Sequence, residues 1–262
     1  MMNTAVPDLS SSAVLIAGGS SGVGLASALK LVDAGVRRLA LTSRSPERGQ
    51  AAVEAVRARA EGVDAEFFPV DANDSGAVAE VVEASHRFLG SIDVYLGSIA
   101  AAYRPELLFN TPLDDMSKIL SQQALPPMYF TRAVLPYMRE QKSGSIINIA
   151  SDAAKVATPG ESVLGAAMAS IVMFTRTVAI EAKRDGIRAN AITPSLIANT
   201  ATAERVLSDG FSKNLFEKAA QSAKLGVAEP DDLAELIVFL AGPGSAKLTG
   251  QAISVNGGIS AA

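Results

Sequence analysis

The chain has 262 residues, 48% of them hydrophobic, and no cysteine, so it can bury a large core but excludes disulfides, thiolate metal sites and a cysteine nucleophile. Its 27 acidic and 23 basic residues leave a net charge of −4 and a pI near 5.2. That balance lacks the basic footprint that nucleic acid demands. A lone histidine, His86, lies inside a stretch of helical period and argues against a metal site or a histidine-based triad.

In chain order, the start "MMNTAVPDLSSSAVLIAGG" has no basic region and only a short apolar run, so neither a secretion signal nor a membrane span is expected, and a cytoplasmic location is. Short β-branched runs then recur at 13–18, 37–42, 65–70, 92–97, 145–150, 187–193 and 251–255, separated by stretches of helical period. Strand and helix in alternation predict a parallel sheet, and runs that are continuously apolar predict helices on both faces. Ser45 before Pro46, Asp74 before "SGAVAEVVEASHRFLG" and Pro230 ahead of two aspartates mark helix starts. The layout is an α/β, doubly wound Rossmann-type sheet, read as one domain over 1–262. Residues 195–226 are expected to form a mobile lid over a pocket.

The first strand runs into "AGGSSGVG", placing Gly18, Ser20, Gly22 and Gly24 at a strand-to-helix junction. Glycines there permit close backbone approach, and the helix N-terminus offers free N–H groups to a pyrophosphate. The same letters satisfy G-x-S-x-G around Ser20, the nucleophile elbow of a hydrolase. That reading needs a downstream histidine, and His86 is poorly placed for it. After the second strand, "TSRS" puts Ser43 and Arg44 where an acidic residue would favour NAD; an arginine leans towards NADP.

On these motifs the chain resembles the short-chain dehydrogenase/reductase family over essentially its whole length. "AGGSSGVG" is similar to the family's TGxxxGxG loop, "VDAND" to the segment whose aspartate, here Asp71, contacts adenine, and "RANAITPSLI", with Pro194 and Ile197, to the stretch beside the nicotinamide. The resemblance implies NAD or NADP as cofactor, no metal, and a catalytic Ser at 151 followed by the Tyr and Lys of a YxxxK motif. Here those two places hold Leu164 and Met168, and Gln123 stands where the family has a catalytic Asn. "GSIA" (97–100) replaces the family's NNAG, and Ile99 and Ala100 are expected to crowd the cofactor.

The family's phenol, with an ordinary pKa near 10, needs an adjacent cation to exchange protons near neutrality. Leu and Met supply neither group, and such acid–base help is worth about 10²–10⁴ in rate. Asp152, Lys155, Tyr103 and Glu161 are the alternative polar groups near the same cleft, and solvated loop charge is the commoner role for such residues. The resemblance therefore points to a catalytically deficient subunit of a tetramer with a paralogous chain that keeps YxxxK. It would act on a small molecule, an acyl-CoA among the choices, with its own cofactor site weak or empty. Heteromeric hydroxyacyl-CoA dehydrogenases of this type include that for 2-[hydroxy(phenyl)methyl]succinyl-CoA in anaerobic toluene breakdown. The alternatives are a non-redox lyase or isomerase on the same scaffold, or a dinucleotide sensor.

Overall fold

The computed structural model describes residues 6–208 and 210–262; residues 1–5 of the N-terminal segment read above and position 209 within 195–226 lie outside them. Seven parallel strands form one sheet: β1 (Ala13–Ala17), β2 (Arg38–Ser43), β3 (Asp64–Pro69), β4 (Val94–Gly97), β5 (Gly144–Ile149), β6 (Ile187–Pro194) and β7 (Ala252–Val255), in the order 3-2-1-4-5-6-7. The order reverses between β1 and β4, so the carboxyl ends of these strands open a crevice at the switch point. All seven predicted runs are strands. β1, β4 and β6 are buried throughout; in β6 that burial includes the polar Arg188, Asn190 and Thr193, so its run is not continuously apolar. The continuous apolar pattern also fails at the edge strand β3, where Asp64, Glu66 and Pro69 are exposed, as suits a strand with only one neighbour.

Among the described residues there are eight α-helices: α1 (Gly22–Asp33), α2 (Pro46–Arg59), α3 (Ser75–Leu89), α4 (Leu113–Gln141), α5 (Ser162–Ala182), α6 (Ala201–Val206), α7 (Gly210–Ser222) and α8 (Pro230–Ala241). The start signals act as read. Ser45 Oγ accepts from the Arg48 amide at 3.4 Å, and Asp74 accepts from the amides of Gly76 and Ala77 at 2.8 and 3.1 Å; at α8 the Glu229 amide donates to Asp232 at 2.8 Å. Such caps satisfy amides that have no partner within the helix. One apolar core joins β1, β2 and β4 to α1, α2 and α8 on one face, and a second joins them to α3, α4 and α5 on the other. The stretch Ser162–Asp185 is long and apolar enough to cross a membrane by composition, but its buried residues pack in the layer between α4 and β6. Residues 195–226 carry α6 and α7, with a small apolar cluster of their own around Leu196, Ala203 and Val206.

Candidate active site

The glycine turn follows β1 directly. The amides of Gly18 and Gly19 both donate to the Thr42 carbonyl, at 2.8 and 3.1 Å, which fixes the turn against β2. Gly18 has φ +83°, and a Cβ there would overlap the Ser98 carbonyl at the end of β4; a Cβ on Gly24 would overlap the Gly18 carbonyl. The first turn of α1 is thus drawn onto the turn that precedes it, as close as two backbones can come. Ser21 is the N-cap and makes no side-chain cap bond, leaving the first amides of α1 and the positive end of its dipole available to an anion. Ser20 is buried and Gly22 half-buried beneath Thr200.

At the end of β2, the Ser43 hydroxyl is sealed from solvent and has no hydrogen-bond partner among the described residues. Arg44 is exposed beside it. The Asp71 carboxylate accepts from the amide and side chain of Asn73, at 3.0 and 2.9 Å, and these bonds, with Arg44 adding, hold its pKa below the ordinary range. Arg44 and Asp71 therefore lie within electrostatic reach of one another beyond the carboxyl ends of β2 and β3. On the opposite side Pro194 is buried at the end of β6, and Ile197 packs on the core beside Thr200. Ile99 does not stand free in the crevice: it packs on the second core, while Ala100 is exposed.

Beyond β5, Ser151 caps a short 3-10 turn, Asp152–Ala154, its hydroxyl oxygen accepting from the Ala153 amide at 3.2 Å. Leu164 and Met168 lie one turn apart on α5, in one apolar cluster with Ala150, Ile171, Val172 and Ala191; Met168 is 7% exposed. Gln123, on α4, is buried and donates to the Ala101 carbonyl at 3.3 Å. It also lines a cavity of about 260 Å³ with Tyr103, Thr111, Asp115 and Lys118.

The remaining polar residues are not solvated charges, and that expectation is corrected. Asp152 is 6% exposed and accepts from Asn256 Nδ2 at 3.1 Å and from the hydroxyl of Ser260. Lys155 donates to Ser254 Oγ at 2.6 Å and to the main-chain oxygen of Ala262, and burial holds its pKa below the ordinary range. Both side chains thus grip the end of the chain, Lys155 at Ser254 in β7 and at Ala262, and Asp152 at Asn256 and Ser260 beyond it. The Tyr103 hydroxyl donates to the Gly160 carbonyl at 2.8 Å, and burial, with the charge of Glu161, raises its pKa. Glu161 is 8% exposed at the head of α5. Burial, with the Asp152 carboxylate adding, pushes it up to about 7. His86 is remote, half-buried in α3, with its ring stacked on Tyr137 at a centroid distance of 4.1 Å, which leaves Ser20 without a histidine. No group of ligands able to hold a metal occurs among the described residues.

A doubly wound sheet with a glycine-lined turn at its switch point defines a Rossmann-type α/β protein. The comparisons with known proteins agree: a family model described as enoyl-(acyl carrier protein) reductase matches residues 17–260. The chain belongs to the short-chain dehydrogenase/reductase family. It is similar to a 3-oxoacyl-[acyl-carrier-protein] reductase of Chlamydia pneumoniae, 32% identical over 94% of this chain and 96% of the relative. It is 30% identical to 2,3-dihydro-2,3-dihydroxybenzoate dehydrogenase of Bacillus subtilis, over 93% and 94% of the two chains. Among solved structures, levodione reductase superposes with a TM-score of 0.88 at 27% identity over 95% of this chain and 97% of its own. NAD+-bound xylitol dehydrogenase gives 0.87 at 25%, over 96% and 100%.

Proposed function

We propose that this chain is a dinucleotide-binding member of its family that lacks its own phenol–ammonium proton relay and serves as a supporting subunit beside a paralogous chain in which YxxxK is intact. The observation that carries the reading is the shared apolar cluster of Leu164 and Met168: two side chains that neither exchange protons nor carry charge occupy the places of the relay, so hydride transfer by this chain alone is slowed by about 10²–10⁴. The glycine turn fits a pyrophosphate, and the unpartnered Ser43 hydroxyl beside exposed Arg44 suits the ribose end of NADP better than an acidic residue would. When bound, the nicotinamide accepts or gives a hydride; this chain's residues only hold and orient it. Relatives named for 3-oxoacyl carriers support an acyl thioester as the substrate class of the assembly, and a hydroxyacyl-CoA of aromatic breakdown falls within it.

The partner role draws on the outer surfaces of α4 and α5, neighbouring helices that leave Leu113, Leu120, Leu125, Met173 and Ile180 exposed. Such a face suits isologous packing, in which one subunit type exchanges readily for a paralogue. A cytoplasmic tetramer is part of this reading. The test is native mass spectrometry of the tagged chain isolated from its own host. A mixed tetramer with a second chain of similar mass is expected; a pure homo-oligomer that reduces ketones at rates ordinary for such enzymes overturns the proposal.

A further inference from the structure

Between the loop after β4 and the first half of α4 opens a cavity of about 260 Å³, lined by Tyr103, Asp115, Lys118, Ile119, Gln122 and Gln123 among others. The five from α4 recur at the three- and four-residue spacing of one helix face. The most buried polar side chain of this wall is Gln123, at 7% exposed. Its Nε2 donates to the Ala101 carbonyl at 3.3 Å, which settles the end of the amide that is oxygen. Among the described residues nothing donates to that Oε1, and it is not among the unpartnered atoms wholly sealed from solvent. It therefore opens on the cavity that its residue lines, an acceptor held ready for a donor. Gln122, half-buried beside it, also has no side-chain partner among the described residues. The charges round the wall cancel, for Arg104 and Lys118 stand against Glu106 and Asp115. Arg104 donates to Ser212 Oγ at 3.4 Å, and Glu106 accepts from the Leu107 amide at 2.7 Å and from Asn110 at 3.1 Å. Such a wall favours neither an anion nor a cation and leaves hydrogen bonding to select the ligand. The Tyr103 hydroxyl, donating to the Gly160 carbonyl at 2.8 Å, ties the cavity to the head of α5, where Leu164 stands.

We propose that this cavity binds a neutral secondary amide, whose N–H donates to Gln123 Oε1 and whose carbonyl oxygen accepts from Gln122 Nε2. A secondary amide presents one donor and one acceptor on opposite edges, which matches the two side chains; a purely aliphatic chain leaves the Gln123 oxygen covered and unpaired, at a cost. The inference deepens the acyl-thioester reading given above and rests on it. The arm that carries such an acyl group is a chain of secondary amides ending at the thioester sulfur, so the cavity is the seat of the arm and the acyl group lies towards the head of α5.

Pantetheine, which is that arm without an acyl group or a phosphate, is the probe, and a thiol-ended triethylene glycol, of comparable length but without amides, is the control. The chain has no cysteine, so neither thiol can be captured as a disulfide. Saturation-transfer NMR on the whole chain is expected to show pantetheine binding in the millimolar range, and the glycol at least about fivefold more weakly. Gln123→Met keeps the length of the side chain and removes the acceptor, and Gln122→Leu changes its half-buried neighbour; each is expected to weaken pantetheine binding at least about fivefold. Circular dichroism checks the fold of both, and Gln122→Leu decides the matter if Gln123→Met does not fold. No transfer to pantetheine, equal transfer to the glycol, or unchanged affinity in a folded variant overturns the proposal. Turnover of an acyl thioester by the assembly at a KM that both variants leave unchanged also overturns it and leaves the substrate reading standing. Pantetheine binding that the two variants weaken, in an assembly that ignores acyl thioesters, does the reverse.

Discussion

Replacing Glu161 with Gln removes one proton-binding site and leaves the shape of the side chain almost unchanged, so its effect on stability isolates an electrostatic quantity. Burial raises this carboxyl from 4.5 to about 7. Between those values the folded chain holds a proton that the unfolded chain has released. Stability therefore falls as the pH rises through this window and levels off above the folded pKa. A difference of some 2.5 pKa units is worth about 3 kcal/mol, a large share of the ~5–15 kcal/mol that typically separates folded from unfolded chains. Urea unfolding followed by circular dichroism at pH 5, 6, 7 and 8 measures it. Wild type and Glu161→Gln are expected to differ by less than about 1 kcal/mol at pH 5, with the Gln variant gaining on wild type by about 3 kcal/mol at pH 8. A stability difference that stays constant across the four pH values refutes the assignment of a desolvated carboxyl.

Met168→Lys puts an ammonium into an apolar cluster and is expected to lower stability by about 2–4 kcal/mol at pH 7. The loss eases as the pH climbs towards the ordinary lysine range, because the buried amine titrates early; unchanged unfolding together with tighter dinucleotide binding would mean that the lysine has found a waiting partner. Gly24→Ala forces a Cβ into the Gly18 carbonyl, for which a loss of about 1–3 kcal/mol is expected. The same variant should weaken binding of NAD or NADP, whichever binds wild type more tightly, at least about tenfold by calorimetry, and equal affinity would place the pyrophosphate elsewhere.

The sheet was readable because its strands are buried on both faces. The run "AVLIA" is apolar throughout, and "IRANAIT" alternates with a strand's period of two at Arg188 and Asn190, so neither has helical spacing. The edge strand β3 fits that pattern less well, because alternate residues there meet water. The cofactor turn was legible for a different reason: three glycines at one junction are rarely tolerated unless backbones must touch, and Gly18 and Gly24 do approach in this way. The polar half of the site was not legible. Asp152 and Lys155 read as loop charges, but their partners, Ser254, Asn256 and Ser260, stand about a hundred residues away in the chain. No local pattern encodes that meeting. The burial of Glu161 depends likewise on Tyr103 and α7 arriving from elsewhere.

The substitutions at the head of α5 are physically coherent when taken together. A phenol needs a neighbouring cation to become a useful acid at neutral pH, whereas a carboxyl needs the reverse, an environment that offers its charge no support. Burial and the Asp152 carboxylate provide that environment for Glu161, while Met168 and Leu164 carry no charge and the Lys155 ammonium is bound to Ser254 and Ala262. A lysine at 168 would stand two helical turns from Glu161, roughly 10 Å away. At an effective dielectric of about 20, unit charges at that distance interact by about 1–2 kcal/mol, enough to draw the carboxyl down by about one pKa unit. A neutral methionine at 168 therefore leaves burial and Asp152 unopposed in holding the Glu161 carboxyl above its ordinary range.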